Sequence, residues 1–89
     1  MTEADIERYF VWVVRRAGGQ TYKFRSPTQR GVADRIACMP DGKTWFVEIK
    51  KPGGRVSPLQ HLFAREMAVL RQNYACLWSK EDVDAWLAQ

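Results

Sequence analysis

The segment Thr44–Lys50 constrains the fold more than any other part of the sequence. It contains four apolar residues around one glutamate, Glu48. Because successive side chains of a strand point to opposite faces, apolar residues at both odd and even positions predict a strand that is buried on both sides. Such a strand belongs at the centre of a sheet that helices cover, and it carries an acid into the interior.

The rest of the chain supplies the elements that such a sheet needs. Apolar residues spaced three and four apart predict a first helix, which Thr2 can cap and Gly18-Gly19 ends. Strand-forming segments, breaks at proline and glycine, and cap residues predict the other elements. In chain order the predicted elements are a helix at about Glu3–Ala17, strands at Thr21–Phe24, Val32–Met39 and Thr44–Lys50, a helix from Ser57 to about Gln72, a strand at Tyr74–Trp78 and a helix after Ser79. The order α-β-β-β-α-β-α predicts an α/β fold with a small mixed central sheet flanked by helices.

Length and composition narrow the class of protein. The 89 residues, 46% of them hydrophobic, are enough for one globular domain, and we expect a single domain over residues 1–89. No apolar run approaches the roughly 20 residues of a membrane span, and the N-terminus lacks a signal-peptide pattern. Cys38, Cys76 and His61 make neither a disulfide framework nor a zinc site. These features predict an intracellular, cytoplasmic protein.

The charge distribution points to a polyanionic partner. Residues 15–55 contain ten basic and three acidic residues, a net charge of +7, whereas the remainder has four basic and seven acidic residues, a net charge of −3. A basic middle segment in a small domain favours nucleic acid as the partner, although many small soluble proteins are mildly basic.

The turn between the second and third predicted strands brings two carboxylates together. Pro40-Asp41-Gly42 suits a three-residue hairpin loop with a left-handed glycine, and Met39 then pairs with Lys43. In that register the numbers of paired residues sum to 82, so Asp34 lies directly opposite Glu48. A two-residue loop would shift the pairing by one position.

Two facing carboxylates repel each other and need a cation between or beside them. Lys50 lies on the same face as Glu48 and can offset one charge. The simplest interpretation is a surface ladder of Asp, Glu and Lys. The buried setting of the strand argues against it, because buried charges need partners, and favours Mg²⁺ or Mn²⁺ between the oxygens.

The same residues carry a resemblance to a known nuclease family. Asp34 followed fourteen positions later by Glu48-Ile49-Lys50 resembles the PD-(D/E)xK nuclease signature, and the element order resembles the restriction-endonuclease-like core. Over nearly the whole chain the sequence resembles a stand-alone VRR-NUC domain, the virus-type replication-repair nuclease. Ala33 stands where that family usually has a proline. The motifs that carry the resemblance are Glu3-x-x-x-Glu7, Gly18-Gly19, Lys23-Phe24-x-Ser26-Pro27, Gly31-Val32-Ala33-Asp34-Arg35, Val47-Glu48-Ile49-Lys50-x-Pro52-Gly53 and Ser57-Pro58-x-Gln60.

The resemblance implies a metal-dependent phosphodiesterase and assigns roles within it. Asp34, Glu48 and the main-chain carbonyl of Ile49 would bind Mg²⁺ or Mn²⁺, and Lys50 would place the attacking water and stabilise charge on the phosphate. No organic cofactor is implied.

Two further residues have a catalytic and a plain structural interpretation. The family places a glutamate of the first helix beside the metal; Glu7 fits that position better than Glu3, and either could be an ordinary solvated residue. Gln60 would lie at the edge of the site, although Ser57-x-x-Gln60 is also a helix capping box.

The predicted function is a divalent-metal-dependent DNA endonuclease that selects branched or junction DNA and acts as a homodimer. The resemblance suggests a phage or prophage origin. Tyr9 and Trp12, on the side of the first helix away from its inward face, are the candidate interface. The alternative is a nuclease fold that binds nucleic acid without turnover; RNA is a weaker substrate interpretation. The candidate nucleic-acid-binding residues around the site are Lys23, Arg25, Ser26, Arg30, Arg35, Lys51 and Arg55.

Overall fold

The structure, a computed structural model, describes residues 1–89 and contains three helices and four strands. The four strands form one sheet in the order β1-β2-β3-β4, with β1/β2 and β2/β3 antiparallel and β3/β4 parallel. The predicted element order and the mixed sheet are therefore confirmed. The elements are α1 (Glu3–Arg16), β1 (Gln20–Lys23), β2 (Arg35–Cys38), β3 (Thr44–Ile49), α2 (Pro58–Val69), β4 (Asn73–Leu77) and α3 (Lys80–Leu87).

The two faces of the sheet are covered by different helices. On one face α1 and α3 pack against the sheet and form the main core, which includes Phe10, Val47, Ile49 and Trp86. On the other face α2 packs through Phe63, whose ring lies against aromatic rings of the sheet. The central strand β3 is thus buried on both sides, as its composition predicts. No helix is long and apolar enough to span a membrane.

The β2–β3 hairpin has the predicted turn and register. Gly42 adopts φ +86°, the left-handed conformation that the turn requires, and the Met39 N–H donates to the Lys43 carbonyl at 2.9 Å. The Cα partners run from Arg35 opposite Val47 to Cys38 opposite Thr44, and each pair of numbers sums to 82.

Strand β2 is shorter at its start than the predicted Val32–Met39. The backbone of Asp34 still accepts from Phe24 N–H at 2.9 Å. Its side chain, however, accepts the N–H of Ile49 at 2.8 Å. This side-chain bond takes the place of a main-chain ladder bond and ends the β2–β3 pairing.

Helix α2 differs from the prediction in its packing and its end. The apolar spacing in the sequence predicts that Leu59, Phe63, Met67 and Leu70 form its inward face. In the structure the helix has no fully buried residue, and Leu59 and Leu70 are 45% and 61% exposed. It ends at Val69 because Arg71 adopts φ +57° and its N–H donates to the Ala68 carbonyl. This closure normally uses glycine, so the sequence gives no stop signal there.

Candidate active site

The structure places Asp34 and Glu48 at the same end of the sheet, on the face that α2 covers. Asp34 lies one residue before β2 and Glu48 lies in β3. Extending the observed register by one position past the last pair, Arg35 and Val47, puts the two acids opposite each other. Glu48 is only 2% exposed. Burial, together with the nearby Asp34 carboxylate, raises the pKa of Glu48 to about 8. The predicted conflict between two facing carboxylates is thus a property of the folded chain.

Two side chains give Glu48 partial compensation. Gln60 Nε2 donates to Glu48 Oε2 at 2.9 Å, and Lys50 Nζ lies 3.6 Å from the same oxygen. The Lys50 side chain is only 12% exposed, so its charge is confined to the site. The lysine lowers the pKa of Glu48, but burial and Asp34 outweigh it.

The two hydrogen bonds of the Gln60 side chain connect Glu48 to the start of α2. The Gln60 side-chain oxygen accepts from Ser57 N–H at 2.9 Å, while Ser57 Oγ accepts from Gln60 N–H at 3.2 Å. This is a complete capping box, and the same side chain uses its amide nitrogen on Glu48. The capping box is therefore confirmed, and the additional contact with Glu48 is compatible with the site interpretation, which stays a prediction.

A cavity of about 210 Å³ opens beside Asp34 on the α1 side of the sheet. Both candidate glutamates of α1 line it, so the structure brings Glu3 and Glu7 to the same cavity as Asp34. Glu7 Oε2 accepts from Arg35 at 2.7 Å, whereas Glu3 is exposed and makes no side-chain hydrogen bond. The remaining lining residues are Lys23, Phe24, Arg25, Val32, Ala33 and Ile49.

The candidate phosphate-contact residues divide into two groups. Lys23 and Arg25 are exposed and line the cavity, and Ser26 is half-buried with its hydroxyl accepting from Gln29 N–H at 3.1 Å. Arg35 is different, because it is 7% exposed and its guanidinium is bonded inside the protein. The structure therefore removes Arg35 from the basic surface. The other candidate phosphate-contact residues are exposed, as Lys23 and Arg25 are: Arg30, Lys51 and Arg55.

The donor set fits a hard divalent cation. Two carboxylates, one of them buried with a raised pKa, offer oxygen ligands whose mutual repulsion a cation would relieve. No group of three or more His, Cys, Asp and Glu side chains has the arrangement of a metal site. A cation here would therefore take its other ligands from main-chain oxygen and water, as Mg²⁺ commonly does.

Sequence reasoning missed three residues near the site. Cys76 is the β4 neighbour of Glu48, and burial raises its pKa to about 11, so it is a neutral thiol and not a nucleophile at pH 7. Tyr74, also on β4, has its pKa raised by burial. Thr21 is buried and bonds to Arg35. Successive residues of a strand point to opposite faces of the sheet. This alternation is the only sequence signal that could have indicated these positions.

The largest cavity lies elsewhere. About 460 Å³ in volume, it lies at the hairpin end of the sheet, between Met39, Trp45 and Trp86. Asp41 and Lys43 are its only charged lining residues, so it lacks a pair of carboxylates. Phosphodiester chemistry needs several charged side chains close together. In this structure they lie at the end of the sheet that carries Asp34, away from the larger cavity.

Comparisons with known proteins give a relative in sequence and a match in fold. The sequence matches no family model. It is 50% identical over 58 residues to a protein of Acyrthosiphon pisum secondary endosymbiont phage 1 named "Putative nuclease p44". That match covers 65% of this chain and 62% of the phage protein, so the aligned part spans less than two thirds of the relative.

A solved structure named "VRR_NUC domain" has the same fold. The TM-score is 0.92 over 100% of this chain and 98% of the other, with 22% sequence identity. The TM-score shows that the two chains share their architecture, so the resemblance noted in the sequence is confirmed at the level of the fold.

Proposed function

We propose that this chain, which has the fold of a VRR_NUC domain, is a Mg²⁺- or Mn²⁺-dependent DNA endonuclease. The observation that carries the proposal is the facing pair of Asp34 and Glu48, with Lys50 beside it at one end of the sheet. The phage relative named as a nuclease supports the same activity. Its source also supports a phage or prophage origin and action in a bacterial cytoplasm.

The residues divide the work of phosphodiester hydrolysis. Asp34, Glu48 and the carbonyl of Ile49 would hold the cation, which when bound lowers the pKa of a water and neutralises the phosphate. Lys50 would orient the attacking water and stabilise charge on the phosphate. Gln60 keeps Glu48 Oε2 in place through its 2.9 Å hydrogen bond. Glu7 would complete the site from α1 across the cavity.

The substrate class follows from charge. Lys23 and Arg25 lie at the cavity that Asp34 lines, so a phosphate backbone that enters the site would meet them. The first turn of α2 adds its positive end near Glu48. We propose branched or junction DNA as the substrate. The other candidate nucleic-acid-binding residues, which do not line this cavity, are Ser26, Arg30, Lys51 and Arg55.

We further propose that the single domain over residues 1–89 works as a homodimer, since one site of this type cuts one strand. Of the two candidate interface residues, Tyr9 donates a hydrogen bond to Asp84 at 2.6 Å within the chain. Trp12 is 53% exposed, and the Arg16 guanidinium lies 5.0 Å from its ring centroid. Trp12 is therefore the ring that remains available to a second copy.

The test is a panel of labelled DNAs with and without chelator. It contains linear duplex, single-stranded, flapped and four-way-junction substrates of matched sequence. We expect Mg²⁺-dependent cleavage that is fastest on the branched members. Binding without cleavage of any member, at saturating Mg²⁺ and Mn²⁺, would favour the non-catalytic alternative. Equal cleavage of linear duplex would remove the structure selectivity and leave the nuclease activity.

A further inference from the structure

Arg35 is a buried cation that none of the proposed catalytic roles uses. It lies in β2 directly after Asp34, yet its side chain points to the opposite face of the sheet, toward α1. Its Nε donates to Thr21 Oγ1 at 3.1 Å and Nη1 donates to Glu7 Oε2 at 2.7 Å. One guanidinium therefore joins β1, β2 and α1.

Thr21 fixes the direction of this guanidinium. The Thr21 hydroxyl donates its own proton to the Ile36 carbonyl at 2.8 Å, so the oxygen offers only lone pairs to Arg35. Thr21 is only 3% exposed, so its hydroxyl is shielded from solvent. The orientation of Arg35 is thus set by a hydroxyl that the backbone itself orients.

Glu7 is the only acid that contacts Arg35. Its side chain is 29% exposed, contacts the Arg35 guanidinium and lines the cavity that Asp34 also lines. Arg35 occupies Oε2 of Glu7, and Oε1 has no hydrogen-bond donor from the protein. A carboxylate held by one oxygen in this way presents the other in a defined direction.

We propose that Arg35 is a positioning residue of the nuclease site, which acts through Glu7. It holds the Glu7 carboxylate beside Asp34, where Oε1 can accept from a water bound to the cation. The inference rests on the proposed function, because it needs a divalent cation at Asp34 and Glu48. It differs from phosphate contact, which would require Arg35 at the surface.

The test measures Mn²⁺ binding to the DNA-free protein by calorimetry, with melting temperature in chelator as the measure of folding. Glu7→Gln removes the charge and keeps the hydrogen bond, whereas Arg35→Met removes the donor. Loss of a partner beside a metal ligand shell lowers metal affinity roughly 10- to 100-fold, and we expect this range for each variant. The double variant should bind no more weakly than either single variant, because both act through one carboxylate.

Matched controls separate positioning from charge and from folding. Arg15→Met removes an exposed arginine of α1, and we expect wild-type Mn²⁺ affinity. On Coulomb's law alone, loss of the Arg35 charge would tighten cation binding, which is the opposite sign. If Arg35→Met does not fold, Thr21→Val removes only the orienting hydroxyl and should weaken Mn²⁺ binding in the same direction.

The outcomes distinguish this inference from the proposed function. If wild-type protein binds Mn²⁺ and Arg35→Met or Thr21→Val binds it equally well or more tightly, the positioning role is overturned and the nuclease proposal stands. Additive losses in the double variant would also contradict a common route through Glu7. If wild-type protein binds no Mn²⁺, both proposals are wrong. Normal Mn²⁺ affinity with weakened DNA binding would return Arg35 to phosphate contact.

Discussion

The side-chain amide of Gln60 donates to Glu48 Oε2 over 2.9 Å, and this single contact ties the first turn of α2 to the buried acid of the central strand. The carbonyl oxygen of the same side chain closes the capping box with Ser57. Gln60 therefore caps a helix and contacts an acid of the proposed site. These two contributions can be separated, because Ser57 takes part only in the first.

We predict that Gln60→Ala and Ser57→Ala destabilise the fold similarly but affect cleavage very differently. Each removes half of the capping box and should lower the free energy of unfolding by about 1 kcal/mol. Only Gln60→Ala removes the donor to Glu48, so it should slow cleavage by a much larger factor than Ser57→Ala. Urea unfolding and single-turnover cleavage check this. Equal slowing by both variants would restrict Gln60 to capping.

Gly31 lies directly against the first turn of α2. It adopts φ +82°, and a Cβ there would lie 2.6 Å from the backbone of Leu59 in the first turn of α2. Gly53 has nearly the same φ, +81°, but open space around its Cβ position. Gly53→Ala should cost about 1–2 kcal/mol of backbone strain. Gly31→Ala should cost more and displace α2.

The comparison of these two glycine variants is the second prediction. Melting temperature reports the strain, and the amide NMR shift of Glu48 reports displacement of Gln60. We expect a large shift change in Gly31→Ala only. Equal effects of the two substitutions would mean that the close approach to Leu59 does not position α2.

The raised pKa of Glu48 makes the stability of the metal-free protein pH-dependent. Between its ordinary value of 4.5 and the folded value of about 8, the folded state binds a proton that the unfolded state has released. Stability in chelator should therefore fall as pH rises through this window, by a few kcal/mol in total, and level off above it. Urea unfolding at intervals from pH 5 to about 9 checks the sign.

Asp34→Asn is the matched variant for this third prediction. It removes one of the two charges and keeps an oxygen that can accept from Ile49 N–H. In chelator it should melt higher than wild type, with a shallower pH profile. Added Mg²⁺ should stabilise wild type more than the variant, because it binds the folded state. A variant that melts lower in chelator, together with no effect of Mg²⁺ on wild type, would indicate a plain structural pair.

The fourth prediction concerns assembly. Light scattering over a concentration series should give the mass of a dimer, and Trp12→Glu should shift it toward the monomer. Tyr22→Glu is the matched control, since Tyr22 is 59% exposed on β1, away from α1. A monomer at high concentration that still cuts junctions symmetrically is inconsistent with the dimer. A dimer that is insensitive to Trp12→Glu places the interface elsewhere.

The parts of the site that lie on the hairpin follow from the sequence. A three-residue turn fixes the register, and that register, extended one position past Arg35 and Val47, places Asp34 opposite Glu48. The environment of Arg35 does not follow, because a charged residue in a basic segment is expected at the surface. Because Arg35 follows Asp34 in the strand, its side chain lies on the opposite face of the sheet, which α1 covers. The packing of α1 against that face then brings Glu7 to Arg35.

Helix α2 can also be predicted only in part from the sequence. Its start follows from Ser57-Pro58 and the capping box, which are local in sequence. Its end does not, because Arg71 takes a left-handed conformation that sequence reasoning reserves for glycine. The contact of Gln60 with Glu48 depends on where the helix docks, which no local pattern encodes.

The central claim is that Asp34 and Glu48 form the cation site of a DNA endonuclease. The most direct measurement compares cleavage of a four-way junction by wild type, Asp34→Ala and Glu48→Ala, in Mg²⁺ and in chelator, with DNA affinity measured by anisotropy on the same samples. We expect wild type to cut only with the cation, and both variants to bind DNA without cutting it. Cleavage by wild type in chelator, or full activity of both variants in Mg²⁺, would contradict the claim.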